Sequence, residues 1–125
     1  MVTIKSYTDI EQSKKLADIL PLESADMRFC FSHTLDGRIT GHYPMIGREP
    51  SSGTIPCWSL AALLGVLPKN LNIGRPSLES NYKGYYWIQY YDEFMKPNNY
   101  KTECFNSPVD ACYELILKLH ELNLL

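Results

Sequence analysis

The sequence from Tyr82 to Phe94 reads YKGYYWIQYYDEF and contains five of the nine tyrosines of the chain, together with Trp87. Aromatic residues favour extended, half-buried backbone, so residues 85–91 give the strongest strand signal in the sequence. Side chains alternate between the two faces of a strand. The prediction therefore puts Tyr85, Trp87, Gln89 and Tyr91 on one face and Tyr86, Ile88 and Tyr90 on the other.

Three helices are predicted from capping residues and from apolar residues at helical spacing, at residues 9–20, 57–67 and 108–122. The first begins with a capping box of Thr8 and Glu11. The second has Ser59 as its cap and is apolar all round, so it should be buried on most sides. The third begins at Ser107-Pro108, where serine caps the helix and proline takes its first position. Four apolar residues of this last helix should pack on the sheet, namely Val109, Cys112, Ile116 and Leu119.

Further strands are predicted at residues 27–33, 38–45 and 100–105, with a weak edge strand around Leu71 and Ile73. Asp36-Gly37 predicts a hairpin turn between the first two. Residues 44–56 are rich in proline, glycine and serine, which predicts a loop. The order α-β-β-α-β-β-β-α predicts an α+β fold. It would have a mainly antiparallel sheet of about four to five strands, with three helices mostly on one face.

Length and charge limit the classes to which the protein can belong. A length of 125 residues predicts a single domain, residues 1–125. The net charge is −2 and the isoelectric point about 5.9, which gives no general attraction to nucleic acid or anionic lipid. We therefore expect neither nucleic acid nor a membrane as a partner. The N-terminus lacks the apolar segment of a signal peptide, and the longest apolar run is far shorter than the roughly 20 residues of a membrane helix. These features predict a cytoplasmic protein.

The chain has four cysteines, and no two of them form a C-x-x-C motif: Cys30, Cys57, Cys104 and Cys112. Without a secretion signal, this pattern predicts four free thiols. Cys57 precedes the central helix, whose dipole would lower the pKa of a thiol. An enzymatic role would also need His33 or His42 in contact with that thiol as a base. We interpret Cys57 as an ordinary apolar thiol and predict that the protein is not an enzyme.

No metal or other cofactor is predicted. Cys30 and His33 lie three residues apart in a strand and face opposite sides, and His120 has no second histidine at helical spacing. Asp92 and Glu93 are predicted to lie in a solvated turn rather than to act as an acid–base pair. Five basic residues would form an anion-binding patch only if the fold brought them together: Arg28, Arg38, Arg48, Arg75 and Lys83.

Three stretches carry a resemblance to known proteins, namely Ala25-Asp26-Met27, PCWSLAALL at residues 56–64 and NSPVDA at residues 106–111. With them the chain resembles a group of small uncharacterised proteins found in gut Bacteroidetes genomes and in their phages or prophages. The resemblance covers most of the chain, although residues 44–55 and 68–82 carry little of it. The group has no assigned activity, so the resemblance implies no functional residue, and the matching residues, mostly caps and core positions, bear on the fold. It implies an accessory gene of a mobile element that acts in the cytoplasm of a bacterial host cell.

The aromatic strand carries the functional hypotheses. The helices must pack on one of its faces. The other face is either buried by the rest of the chain or exposed as an aromatic surface. The candidate surface residues are Tyr85, Tyr86, Trp87, Tyr90 and Tyr91. We predict a non-enzymatic accessory protein that binds another protein or a second copy of itself, and the resemblance implies a host-modulating or counter-defence role. The alternative is a protein that binds a small anionic ligand, such as a nucleotide, between aromatic residues and arginines. That alternative requires a concave site where such residues meet.

Overall fold

The computed structural model describes residues 5–47 and 53–125. In chain order its elements are α1 (Ile10–Ala17), a short 3-10 helix (Leu22–Ser24), β1 (Met27–His33), β2 (Ile39–Ile46), β3 (Ile55–Cys57), α2 (Leu60–Val66), β4 (Arg75–Ser80), β5 (Tyr86–Tyr91), β6 (Pro97–Lys101) and α3 (Pro108–Glu121). The strands of the described residues form two three-stranded antiparallel sheets. The predicted α+β class and three α-helices are confirmed, whereas the predicted single sheet of four to five strands differs from the six strands found.

The described chain divides into two compact units, each of which contains one of the sheets. The N-terminal unit is Tyr7–Ala62, and the C-terminal unit is Leu63–Leu125 together with Lys5 and Ser6. Each unit is described by itself below. The single domain predicted for residues 1–125 stays a prediction.

The sheet of the N-terminal unit has the order β2-β1-β3. β1 has the predicted bounds, and a turn with Gly37 at φ +87° connects it to β2, so the hairpin prediction is confirmed. The loop predicted for residues 44–56 is wrong at both ends, because Pro44–Ile46 belong to β2 and Ile55–Cys57 form β3. Residues 48–52 of that predicted loop lie outside the described residues.

Pro44 lies within β2 because its nitrogen faces the free edge of the sheet. The N–H of Gly47 donates to the carbonyl of Asp26 (2.9 Å), which fixes the alternation of hydrogen-bonded pairs between β1 and β2. By that alternation, the backbone groups of Pro44 point away from its partner Phe29. The missing N–H of proline therefore removes no hydrogen bond from the ladder with β1.

The N-cap of α1 lies one residue later than predicted. Asp9 accepts a hydrogen bond from the Gln12 N–H (2.8 Å), and the Gln12 side chain accepts one from the Asp9 N–H (3.1 Å). Thr8, the predicted cap, is fully buried instead. Its hydroxyl lies 2.7 Å from the Ser13 hydroxyl and accepts a hydrogen bond from the Trp58 N–H (3.2 Å). Because the Thr8 hydroxyl contacts Ser13 and Trp58, Asp9 caps the helix instead.

The central helix α2 is shorter than predicted. The Ser59 hydroxyl accepts a hydrogen bond from the Ala62 N–H (3.2 Å), as the predicted cap requires. The Asp26 carboxylate in turn accepts hydrogen bonds from the backbone N–H of Ser59 (2.9 Å) and from its hydroxyl (2.5 Å). Leu63 is fully buried, but Ala61 and Gly65 are exposed, so the expectation of burial on most sides is only partly met.

The sheet of the C-terminal unit has the order β4-β5-β6, with α3 packed against β5. The last helix matches its prediction closely: Ser107 caps it and Pro108 is its first residue. All four predicted core residues of α3 are fully buried, namely Val109, Cys112, Ile116 and Leu119. With 14 residues α3 is the longest helix, and across residues 5–47 and 53–125 no helix combines the length and apolar character that crossing a bilayer requires.

Two strand predictions in this unit are displaced. The weak strand expected around Leu71 and Ile73 is a turn, and β4 begins after it at Arg75. β4 is an edge strand, which accommodates its Pro76. The strand predicted at residues 100–105 lies at Pro97–Lys101 instead, and Pro97, a residue type common in turns, is paired with Tyr91 of β5.

Candidate functional site

Tyr90 belongs to the core and not to a surface. Ile88 and Tyr90 are both fully buried on the face of β5 that α3 covers. The Tyr90 hydroxyl donates a hydrogen bond to the Pro68 carbonyl (2.9 Å), and its ring stands edge-on to Tyr100 with centroids 6.2 Å apart. Burial, with a smaller effect from the nearby Cys112 thiol, raises the pKa of Tyr90. The predicted aromatic surface is therefore wrong for Tyr90.

The other predicted surface residues are only partly accessible. Tyr86 is half-buried on the same face as Tyr90 and exchanges two backbone hydrogen bonds with Phe105 (2.6 and 2.8 Å). On the opposite face Trp87 and Tyr91 are half-buried, and Tyr85, just before β5, is 46% exposed. We call this opposite face the outer face, and its aromatic residues are Tyr85, Trp87 and Tyr91.

Tyr91 is held in one position on the outer face. Its hydroxyl donates a hydrogen bond to a carboxylate oxygen of Glu79 on β4 (2.7 Å). This hydrogen bond, helped by burial and by the negative charge of Glu79, raises the pKa of Tyr91. Directly opposite Tyr91 in the ladder stands Arg75, the first residue of β4. The hydroxyl is therefore protonated at physiological pH, and the hydrogen bond to Glu79 fixes the ring.

A cleft at this end of the sheet consists of two adjoining cavities of about 350 and 290 Å³. Both are lined by Lys69, Arg75 and Tyr91, so these three residues lie where the cavities meet. The first lobe is completed by Pro76, Ser77 and Met95. The second lobe is completed by Asn70, Leu71, Gly74, Asp92 and Glu93. We call the two lobes together the Arg75 cleft.

The tight turn from Asn70 to Gly74 positions Lys69 at the cleft. Asn70 and Gly74 exchange backbone hydrogen bonds, and the Asn70 side chain accepts two more from Asn72 and Ile73 (2.9 and 3.0 Å). Gly74 has φ +95°, and a Cβ there would overlap the Tyr91 carbonyl oxygen. Only glycine combines that conformation with so close an approach to β5.

Asn98 ties this turn to β6. Its side-chain NH₂ donates to the Ile73 carbonyl (2.8 Å), while its side-chain oxygen accepts from the Tyr100 N–H (2.9 Å). The Gln89 side chain completes the connection by donating to the Asn98 carbonyl (2.9 Å). Strands β5 and β6 and the turn are thus joined by amide side chains.

The two cations of the cleft are available to a ligand. Within residues 5–47 and 53–125 neither Lys69 nor Arg75 forms an ion pair, although an Arg75 guanidinium nitrogen lies 2.9 Å from the Met95 sulfur. Asp92 lines the second lobe, but one of its carboxylate oxygens accepts hydrogen bonds from the N–H groups of Phe94 and Lys96 (2.9 Å each). The turn predicted at Asp92 is therefore confirmed.

The condition for a patch of the five basic residues, that the fold brings them together, is not met by those that the structure describes within either unit. In the C-terminal unit Arg75 pairs with Tyr91 at one end of the sheet, whereas Lys83 lies in the turn at the other end. In the N-terminal unit Arg28 and Arg38 lie at opposite ends of the hairpin. Arg48 lies outside the described residues. The cation that lines the cleft together with Arg75 is Lys69, and no motif in the sequence indicated that it belongs to a site.

Cys57 lacks the surroundings of a nucleophile. Its thiol is fully buried and donates to the Thr8 carbonyl (3.5 Å). Burial raises the pKa of the Cys57 thiol, so the thiolate is disfavoured. The His42 ring packs edge-on against Phe29, with centroids 5.6 Å apart, and His33 is exposed at the end of β1. Neither histidine is hydrogen-bonded to the Cys57 thiol.

We expect native alkylation to divide the four free cysteines into two classes. Cys104 is exposed and Cys30 half-buried, so both should react with iodoacetamide at pH 8, while Cys57 and Cys112 should not. Peptide mass mapping identifies the labelled sites, and native labelling of Cys57 as fast as that of Cys104 would contradict the assignment.

Burial raises the pKa of Cys112 to about 12. Because an unfolded thiol ionises near pH 9 and the folded one keeps its proton, the free energy of unfolding should fall as pH rises from 9.0 toward 12.

The other cavity of note suits an anion poorly. It has a volume of about 470 Å³ in the N-terminal unit, and among the described residues its lining includes the carboxylates of Asp9 and Glu11 but no lysine or arginine. Among the residues described, no three His, Cys, Asp or Glu side chains come close enough together to hold a metal ion.

No model of a known protein family, no curated protein and no solved structure matches this chain.

Proposed function

We propose that the protein is a non-enzymatic binding protein that holds a small anionic ligand in the Arg75 cleft. The observation that carries this proposal is the meeting of Lys69, Arg75 and Tyr91 at one concave site. A small anion that also carries a flat ring, such as a nucleotide, is bound well by convergent cations beside an aromatic side chain in a concave site, whereas a protein-contact surface would be a broad open face. The convergence therefore favours a small anionic ligand over a protein partner.

The chemistry of the three residues suits a phosphate or carboxylate group. A guanidinium offers a planar pair of N–H donors to two oxygens of the same anion, and an ammonium adds a second, flexible charge. Tyr91 and Met95 supply apolar surface for the rest of the ligand. The cavity of about 350 Å³ lies in the size range of small-molecule sites.

The proposal predicts anion binding that depends on Arg75. In an NMR titration with AMP, we expect backbone signals of residues 69–77 and 91–95 to shift. Arg75→Gln should weaken binding by about 10-fold or more, because a hydrogen-bonded charge pair contributes roughly 1.5–3 kcal/mol. Raising the salt concentration should weaken binding as well.

Lys83→Gln is the matched control, since it removes the same charge from the opposite end of the sheet. It should leave the affinity for AMP nearly unchanged. Equal losses in Arg75→Gln and Lys83→Gln would mean that AMP follows only the net charge, and the proposal would then fail.

A second candidate function is protein contact through the outer face, including contact with a second copy of the chain. Tyr85, 46% exposed beside the half-buried Trp87, favours it. In this proposal the protein is a host-modulating or counter-defence accessory factor of a phage or other mobile element, acting in the bacterial cytoplasm. The support for that setting is the resemblance carried by residues 56–64 and 106–111. The same NMR samples test the contact, because self-association would shift the Tyr85 and Trp87 signals on dilution without any ligand.

A further inference from the structure

The cations of the Arg75 cleft stand between its two lobes. Lys69, Arg75 and Tyr91 line both cavities, while every other lining residue belongs to only one. An anionic group bound by the two cations therefore has open volume on both sides. A ligand with its charge at one end would fill one lobe, whereas a ligand with its charge in the middle would fill both.

The two lobes differ in chemistry. Pro76 and Met95 give the first lobe apolar walls beside the Ser77 hydroxyl, and no described residue of its lining carries a carboxylate. Such walls suit a flat ring, because a thioether and an aromatic side chain both pack well on ring faces. The second lobe contains the carboxylates of Asp92 and Glu93, which accept hydrogen bonds from hydroxyl and amino groups. It suits a sugar or an amino-bearing base.

We propose that the ligand is a dinucleotide joined by a phosphodiester, with the phosphodiester between Lys69 and Arg75 and one nucleoside in each lobe. A phosphodiester carries a single negative charge. That charge fits a site in which the Asp92 and Glu93 carboxylates lie near the two cations better than the dianion of a terminal phosphate. This inference rests on the proposed anion-binding function of the same cleft.

The test compares three probes on the full chain by calorimetry: adenosine, AMP and the 3′,5′-linked dinucleotide ApA. We expect ApA to bind about 10-fold more tightly than AMP and adenosine to bind too weakly to measure. If AMP binds as tightly as ApA, the dinucleotide inference is overturned and the anion site stands. If neither AMP nor ApA binds, both are overturned.

Two variants separate the lobes. Glu93 is exposed, so Glu93→Gln should leave the fold intact. It should lower the affinity for ApA about threefold, because the second lobe loses a charged hydrogen-bond acceptor, and it should raise the affinity for AMP, because the loss of this negative charge weakens the repulsion of the AMP dianion. Met95→Ala should weaken both probes, because AMP places its base in the first lobe. Lys83→Gln should change neither. Equal losses of ApA and AMP affinity in Glu93→Gln would overturn the two-lobe arrangement.

Discussion

Gly74→Ala should destabilise the protein by about 3 kcal/mol or more in a urea unfolding titration. Two effects add at this position. The backbone has φ +95°, which strains any residue with a Cβ, and that Cβ would overlap the Tyr91 carbonyl oxygen and lie 3.2 Å from the Asn98 amide nitrogen. The chain can relieve the overlap only by separating the turn from β5, which would break the hydrogen bond between Asn98 and Ile73.

Gly84→Ala is a matched control for this substitution. Gly84 has φ +86°, close to that of Gly74, but a Cβ there would meet nothing within 4 Å. It should therefore cost only about 1–2 kcal/mol, the strain of a left-handed conformation. The difference between the two variants measures the close approach of the turn to β5. Equal losses would show that the turn can shift away without penalty.

Ile116→Ala should cost about 2–5 kcal/mol, the range for removing a large apolar side chain from a packed core. Ile116 is fully buried on α3, in the C-terminal unit, where the helix packs on β5. Loss of the side chain leaves a cavity whose walls cannot fully collapse. Denaturant titration with a single transition gives the difference directly.

Leu122→Ala provides the comparison from the end of the same helix. Leu122 is the C-cap of α3 and is 50% exposed, so less apolar surface leaves water there on folding. The loss should stay under about 1 kcal/mol. Leu122→Ala as destabilising as Ile116→Ala would mean that the buried face of α3 is not the face that stabilises the unit.

Elements specified by local signals were predicted closely from the sequence. β1 shows seven alternating residues, and α3 has a serine cap, a first-turn proline and an apolar stripe, so their bounds followed with little error. The cap of α1 was off by one residue because Thr8 and Asp9 are both good caps. The choice between them depends on Trp58, whose backbone N–H donates a hydrogen bond to the Thr8 hydroxyl.

Elements specified by distant partners were missed. β3 has three residues and contains Pro56, and it is a strand because β1 pairs with it. In the same way Pro97 and Asn98 are typical of a turn, yet they pair as β6 with the strong central strand β5. Short segments adopt the conformation that their neighbours can hydrogen-bond, and that information lies elsewhere in the chain.

The candidate site was half predicted for the same reason. Arg75 and Tyr91 were both singled out, but their pairing depends on the register of β4 against β5. Lys69 comes just before the segment in which a poor strand was predicted around Leu71 and Ile73, and the conformation of the turn after it depends on Asn98, 25 residues away from Ile73. The exposure of the aromatic strand was the least predictable feature. Tyrosine, with an apolar ring and a polar hydroxyl, suits a surface as well as a core, but Tyr86 and Tyr90 lie on the face that α3 covers.

The outward nitrogen of Pro44 also bears on how molecules of this protein meet each other. β2 is an edge strand of eight residues without a lysine, arginine, aspartate or glutamate. Such an edge ordinarily invites a strand from another molecule, and repeated pairing leads to fibrils. With no N–H at Pro44, the row of edge donors is interrupted in the second half of the strand. We therefore expect the proline to hinder strand addition along this uncharged edge, and it does so without removing a hydrogen bond from the hairpin to which it belongs.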